Sequence, residues 1–129
     1  MFNKFMYTTL FVTDQNKALD FYTNALGFEK RVDYSGPEGR FLTVSLKGQD
    51  LEVILWPGTV ARGNSTPGSP PGPVLGSFFI ESDDLRKDFE VLRSRGVRFE
   101  EAEPEDYQFG VRVTALDPDG NRISLRQRR

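Results

Sequence analysis

Residues 7–28 read YTTLFVTDQNKALDFYTNALGF, and this stretch decides the fold. An apolar strand is predicted over residues 5–12, where apolar and aromatic side chains dominate. Asp14 follows as a helix cap, and apolar residues recur every three or four positions over residues 15–26. Gly27 stands where a left-handed helix terminator belongs. The stretch therefore predicts a strand, then a helix with one buried stripe, then a sharp turn.

Residues 77–97 read SFFIESDDLRKDFEVLRSRGV and repeat this pattern. Gly27 follows Asp14 by thirteen positions, and Gly96 follows Asp84 by twelve. Three strand candidates come after each helix: 28–34, 40–46 and 51–56 in the first half, and 97–100, 107–116 and 122–127 in the second. The chain is therefore interpreted as an internal duplication of a strand–helix–three-strand unit of about fifty residues.

Residues 57–76 separate the two halves and differ from both in composition. They contain five of the eight prolines and five of the twelve glycines, with a single charge at Arg62. Because this stretch has so few apolar side chains, burying them would not offset the conformational entropy lost on ordering. The composition therefore indicates a linker or mobile loop, either a solvated hinge or a structured lid. We predict one domain in which this linker joins two βαβββ modules, 1–56 and 77–129. The fold class is α+β.

The composition excludes most catalytic chemistries. The 129 residues include no cysteine and no histidine, which rules out disulfides, thiolate sites, His-dependent triads and His-containing iron sites. Any metal would need oxygen ligands. A net charge of -2 provides no global attraction to nucleic acid or to an anionic membrane surface. Because neither a membrane span nor a secretory leader is visible, we expect a cytoplasmic location.

Several short stretches resemble the vicinal oxygen chelate superfamily, which includes glyoxalase I, extradiol dioxygenases, fosfomycin resistance proteins and bleomycin resistance proteins. They are LFVTD at 10–14, ALDFY at 18–22, LGF at 26–28, FGVR at 109–112 and DPDGN at 117–121. The resemblance covers essentially the whole chain. It implies paired βαβββ modules that form a partly rolled mixed sheet with the helices outside. It also implies a homodimer with a small-molecule site inside each sheet.

The resemblance marks four positions at which metal-dependent members carry their ligands, one on the first and one on the last strand of each module. In this chain they are Tyr7, Glu52, Ser77 and Ser124. One carboxylate and three neutral hydroxyl groups do not hold a divalent ion against water. We therefore expect no metal and no other cofactor, and the metal-free bleomycin resistance proteins are the nearer analogy.

Glu52 is the one candidate for a catalytic role. A carboxylate beside apolar groups is suited to act as a general base with a raised pKa, or to anchor a cationic ligand. The alternative is a structural ion pair with an arginine of a neighbouring strand, namely Arg112, Arg122 or Arg126. Both interpretations remain open at this point.

Further candidates would bind a ligand rather than react with it. Arg112 offers a two-point contact to a carboxylate or phosphate, or a structural bond to loop carbonyls. Ser77 and Ser124 lack an activating histidine and are interpreted as small hydrogen-bonding groups that enlarge a cavity. Flat walls for an aromatic ligand, or core and dimer-interface packing, are predicted for six aromatic residues: Tyr7, Phe41, Trp56, Phe79, Tyr107 and Phe109.

The leading hypothesis is a protein that binds a small, partly aromatic molecule without a catalytic metal, for sequestration, resistance or sensing. The alternative is a glyoxalase- or dioxygenase-type enzyme with a degenerate metal site, in which Glu52 is the surviving ligand or base. A third class is a protein–protein adaptor that uses the fold as a scaffold and presents an exposed apolar patch.

Overall fold

The computed structural model describes residues 1–58 and 76–129, and the chain divides into two compact units, Met1–Gly76 and Ser77–Arg129. Most of the predicted linker, residues 59–75, lies outside the described residues. The first unit contains β1 (Tyr7–Val12), α1 (Gln15–Asp20), a π-helical turn (Phe21–Ala25), β2 (Glu29–Gly36), β3 (Gly39–Ser45) and β4 (Glu52–Pro57). The second contains β5 (Ser77–Glu81), α2 (Leu85–Ser94), β6 (Arg98–Phe99), β7 (Glu105–Tyr107), β8 (Gly110–Leu116) and β9 (Arg122–Arg128).

Each unit builds one mixed sheet, and its helix connects the first strand of the unit to the second. The first sheet has the order β1-β4-β3-β2, in which only β1 and β4 run parallel. The second has the order β5-β9-β8-β6, with β5 parallel to β9, and β7 pairs separately with β8. The predicted α+β class with two mixed sheets is confirmed.

Both helical segments begin at the predicted caps and are followed by the predicted glycines. The side chains of Asp14 and Asp84 each accept a hydrogen bond from the backbone N–H three residues further on, at 3.1 and 3.2 Å. Such caps satisfy a helical N–H that has no partner within the helix. Gly27 and Gly96 follow the helices with φ of 79° and 87°. No helix of the described residues is long and apolar enough to cross a membrane.

Two local predictions differ from the structure. The predicted helix over 15–26 is α-helical only to Asp20 and continues as a π-helical turn. There the Thr23 hydroxyl donates to the carbonyl of Leu19 at 2.7 Å and competes with the backbone for it. The predicted single strand over 107–116 is wrong, because Gly110 with φ of 146° turns the chain into the β7–β8 hairpin.

The core of each unit lies between its helix and one face of its sheet. Helix α1 packs on β4, and α2 packs on β8 and β9. Alternate strand residues point toward the helix, so the other residues of the same strands lie on the opposite face. The buried apolar side chains of the strands are Leu10, Val12, Leu42, Val44, Val53 and Leu55 in the first unit and Val113, Ala115, Ile123 and Leu125 in the second.

Arg40 forms an ion pair within the β2–β3 hairpin and hydrogen bonds that connect the hairpin to α1. Arg40 donates from Nε to Oδ1 of Asp33 and from Nη2 to Oδ2, each at 2.8 Å. Its Nη1 also donates to Oδ1 of Asn16 at 2.6 Å, and the Gln15 side chain donates to its carbonyl oxygen at 2.9 Å. The hydrogen bonds from Arg40 lower the pKa of Asp33 below its ordinary value of 3.8, and the partner charges add to this effect.

This lowered pKa predicts a pH-dependent contribution to stability. Because the folded-state pKa is below the unfolded value, the contribution is fully present above 3.8 and is lost as the pH falls through the folded pKa. Asp33→Asn should therefore lower the melting temperature slightly at neutral pH and leave it unchanged in strong acid. Thermal unfolding of both proteins across the acid range measures this. An equal difference at every pH would contradict the prediction.

Candidate functional site

In the first unit, Glu52 and Tyr7 lie side by side on the sheet face that points away from the helix. Their Cα atoms are register partners of β4 and β1. The neighbouring β4 residues Val53 and Leu55 are buried toward α1, whereas Glu52 and Trp56 are half-buried on the other face. The Tyr7 ring meets the ring of Phe41 edge to face, with centroids 5.8 Å apart. We call the group Tyr7, Phe41, Thr43, Glu52 and Trp56 the first face.

The Glu52 carboxylate is held by Thr43, a residue that the sequence analysis did not identify. The Thr43 hydroxyl donates to Oε1 of Glu52 at 2.6 Å and accepts from the backbone N–H of Val32 at 3.0 Å. Val32 follows a β-bulge in the β2–β3 pairing, and Thr43 is fully buried. In the sequence, the one indication of this role was a threonine placed between the apolar residues of β3. The hydrogen bond fixes one oxygen of the carboxylate on this face.

The arginines considered as ion-pair partners of Glu52 contact other groups, all in the second unit. Arg112 pairs with Glu105, with Nε and Oε1 3.7 Å apart. Arg122 pairs with Glu100 at 2.6 Å, and Arg126 lies over aromatic rings. Within its own unit, Glu52 has the Thr43 hydroxyl as its hydrogen-bond partner.

The four positions at which metal-dependent members carry ligands do not fit a divalent ion. Tyr7 and Glu52 belong to the first unit, and Ser77 and Ser124 lie on adjacent strands of the second. The set offers one carboxylate, and Oε1 of that carboxylate already accepts from Thr43. A divalent cation needs several oxygen ligands, most of them charged. Within residues 1–58 and 76–129, no group of three or more Asp or Glu side chains is placed to hold a metal ion.

The second unit has aromatic side chains on the face of its sheet that points away from α2. Tyr107 is the last residue of β7 and Phe109 lies in the β7–β8 turn, and their rings meet edge to face with centroids 5.9 Å apart. Phe79 of β5 is 66% exposed and Phe109 is 63% exposed. Exposed rings of this size are suited to bind a flat ligand, because covering each ring removes a large apolar surface from water.

Two arginines lie among these rings. The guanidinium carbon of Arg126 is 4.9 Å from the ring centroid of Phe79 and 5.5 Å from that of Tyr107. The guanidinium carbon of Arg112 is 4.9 Å from the Tyr107 centroid. All three distances lie within the range of cation–π attraction. We call the group Phe79, Tyr107, Phe109, Arg112 and Arg126 the second face.

The register of β8 and β9 explains why these side chains meet. Arg112 and Arg126 are Cα partners, and Ser124 precedes Arg126 by two residues and so shares its face. Ser124 is also the Cα partner of Phe79. From the sequence, Arg126 was considered only as a possible ion-pair partner of Glu52. The alternation of polar and buried residues along β9 was the signal that places it beside Ser124.

Each unit also contains a buried threonine that bonds to a glutamate. In the first unit this is Thr43 with Glu52; in the second, the backbone N–H of Thr114 donates to Oε1 of Glu101 at 2.7 Å, and the Thr114 hydroxyl lies 3.2 Å from Oε2. The Thr114 pair was not predicted, because the acidic residue comes from the loop between β6 and β7. The glutamate of the second unit therefore comes from a loop, whereas Glu52 lies on the last strand of its unit.

The topology and the two faces define a class of protein built from two similar units, each with its helix on one side of a mixed sheet and polar and aromatic residues on the other; the first unit has the order βαβββ, and the second has one additional short strand, β7. The sequence profile of the Glyoxalase/Bleomycin resistance protein/Dioxygenase superfamily matches residues 4–125. The chain belongs to this superfamily, and the resemblance proposed from the sequence is confirmed.

Relatives with known structures or assigned activities cover nearly the whole chain. The crystal structure of TnmS3, an antibiotic binding protein from Streptomyces sp. CB03234, is 33% identical with a TM-score of 0.81 and covers 99% of this chain and 98% of its own. A superfamily member from Sphaerobacter thermophilus is 33% identical with a TM-score of 0.80, covering 98% of each chain. The lactoylglutathione lyase of Neisseria meningitidis is 33% identical over an alignment of 129 positions that covers 98% of this chain and 91% of that protein.

Proposed function

We propose that the protein binds a small, partly aromatic molecule without a catalytic metal, in sequestration, resistance or sensing. The observation that carries this proposal is the second face, where two strongly exposed rings, Phe79 and Phe109, flank Tyr107 and two arginines. Exposed aromatic side chains lose their unfavourable contact with water when a flat ligand covers them. The first face adds Tyr7 and Trp56 as a second set of half-buried or exposed rings.

Two further points support binding over catalysis. The donor set Tyr7, Glu52, Ser77 and Ser124 has a single charged ligand, which leaves a divalent ion better solvated by water than by the protein. TnmS3, which is 33% identical over nearly the full chain, is described as an antibiotic binding protein. As part of the proposal, the protein is a cytoplasmic homodimer whose two modules belong to one domain.

The proposal predicts that flat aromatic antibiotics stabilise the purified protein. At a ligand concentration 100 times Kd, binding adds about 2.7 kcal/mol to the free energy of unfolding, which raises the melting temperature by several degrees. The measurement is a thermal-shift screen of such compounds with and without EDTA. The shift should be the same under both conditions. Phe79→Ala and Phe109→Ala should each weaken binding about tenfold, because each removes a stacking surface.

Val91→Ala serves as the matched control for the two phenylalanine variants. Val91 is an exposed apolar residue on α2. Its loss should leave the ligand-induced shift unchanged. A screen in which no aromatic compound shifts the melting temperature would contradict the proposal and favour the adaptor hypothesis. A shift that the two phenylalanine variants retain in full would place the ligand elsewhere.

An enzyme with a degenerate metal site is the second candidate. It is favoured by the 33% identity to a lactoylglutathione lyase across the whole chain and by the position of Glu52, whose Oε1 is fixed by Thr43. This candidate requires that an added divalent metal raises the melting temperature and supports lactoylglutathione lyase activity. Glu52→Gln should then abolish both effects. Insensitivity to every metal tested would eliminate it.

A further inference from the structure

We propose that Arg126 determines ligand specificity on the second face by binding an anionic oxygen group attached to an aromatic ring. This inference rests on the proposed function and names the chemical class of its ligand. The ring would lie against Phe79, and the anionic group, a carboxylate or an ionised phenol, would contact the guanidinium. Nothing in this contact involves a metal or a covalent step.

The arginines on this sheet face differ in whether they have a carboxylate partner, and this difference points to Arg126. Arg112 has Glu105 at 3.7 Å, Arg122 has Glu100 at 2.6 Å and Arg128 has Glu81 at 2.9 Å. Each of these three arginines therefore already has a carboxylate partner in its own unit. Among residues 1–58 and 76–129, Arg126 has neither a carboxylate within salt-bridge distance nor an acceptor for its side-chain N–H groups.

Arg126 lacks a carboxylate partner even though an acidic residue lies on the adjacent strand. Glu81 is the Cα partner of Arg126 across the β5–β9 pair and so starts from the adjacent backbone position. Its carboxylate nevertheless bonds Nε of Arg128, at 2.9 Å. The side chain of Arg126 lies instead over the rings of Phe79 and Tyr107. A cation–π contact holds the guanidinium in place without occupying its N–H donors.

These donors also match an anionic aromatic ligand. A guanidinium presents paired N–H groups that fit the two oxygens of a carboxylate, and such charge-assisted bonds are stronger than neutral ones. The exposed Phe79 ring beside it offers the stacking surface for the ring that carries this group. Ser124, on the same face of β9, adds a hydroxyl close to Phe79. A neutral ligand of the same shape would leave the charge of Arg126 unused.

The test compares naphthoate with naphthamide, two flat molecules of the same size that differ in charge. Isothermal titration calorimetry on the full chain should give a Kd for naphthoate at least about tenfold lower than for naphthamide, or about 1.4 kcal/mol. Arg126→Gln should remove this preference and leave naphthamide binding unchanged. Arg126→Lys keeps the charge but loses the paired donors, so it should recover only part of the preference. Nitrophenol titrated above its pKa tests whether an ionised phenol substitutes for the carboxylate.

Arg122→Gln is the matched control, because Arg122 lies four residues earlier on the same face of β9 but is paired with Glu100. It should change the naphthoate Kd less than about twofold, since an exposed ion pair contributes little. Equal binding of the two probes, no loss in Arg126→Gln, or no binding of naphthoate would each overturn the inference. If the aromatic screen above still yields ligands, the proposed function survives that result; if the screen also fails, both fail.

Discussion

Asp117→Ala should lower the melting temperature by more than about 10 °C. Asp117 is fully buried, and its Oδ1 accepts hydrogen bonds from the backbone N–H groups of Asp119 and Asn121 at 2.9 and 2.8 Å. Its Oδ2 accepts from Nδ2 of Asn121, also buried, at 2.9 Å. Alanine removes every acceptor at once. Because each buried donor left without a partner costs about 1–3 kcal/mol, we expect a loss of about 3–5 kcal/mol.

Asp117→Asn separates the geometry of this turn from its charge. The amide keeps one oxygen for the two backbone N–H groups but presents an NH₂ group to Nδ2 of Asn121, so one bond is lost. We expect a smaller decrease, about 1.5–3 kcal/mol, from the loss of a charge-assisted bond. Thermal and urea unfolding measure both variants. Equal stability of Asp117→Ala and the wild type would show that the turn does not depend on this network.

The proline, glycine and asparagine of the DPDGN segment favour a turn, but the sequence does not indicate that Asp117 and Asn121 are fully buried. Proline and glycine act through local backbone preferences, so a turn can be inferred from these five residues alone. Burial depends on what the rest of the chain places over the turn, and no local pattern records that. The same division holds for the caps Asp14 and Asp84, which are local and were predicted correctly.

The candidate site follows the same division. From the sequence, the resemblance to the superfamily marked Tyr7 and Glu52 as corresponding positions on the first and last strands of the first unit. The Thr43–Glu52 bond depends on how β3 and β4 are registered, and the arrangement of Arg126 with Phe79 and Tyr107 depends on the register of β5, β9 and β7. A shift of one residue would turn these side chains to the other face. Register is set by the whole unit, so the partners of Glu52 and Arg126 emerged only from the structure.

Gly110→Ala should destabilise the second unit and disrupt the second face. A Cβ atom at this position would clash with the carbonyl oxygen of Gln127 and lie 3.2 Å from Cα of Arg128. Both atoms belong to the backbone of β9, so no side-chain rotation relieves the clash. Gly110 also has a φ of 146°, which L-residues rarely adopt. We expect a loss of at least about 3 kcal/mol, because strand β9 must move away from β8.

The movement would reach both the helix and the ligand face. Oε1 of Gln127 accepts from the N–H of Leu85 at 2.7 Å, and thus connects β9 to the first residue of α2. Tyr107 is the Cα partner of Gly110 and would lose its place beside Arg126. Thermal unfolding and amide hydrogen exchange of β8 and β9 measure the effect, and naphthoate binding should weaken in parallel.

Gly48→Ala is the matched control for backbone strain without a clash. Gly48 has a φ of 81°, and an added Cβ there would meet nothing within 4 Å. Its substitution should cost only about 1 kcal/mol, the ordinary penalty for an L-residue in the left-handed region. The difference between the two variants therefore isolates the close approach of β8 to β9. If Gly110→Ala were no less stable than Gly48→Ala, the two strands would have room to separate at this end, and the placement of Tyr107 would not depend on Gly110.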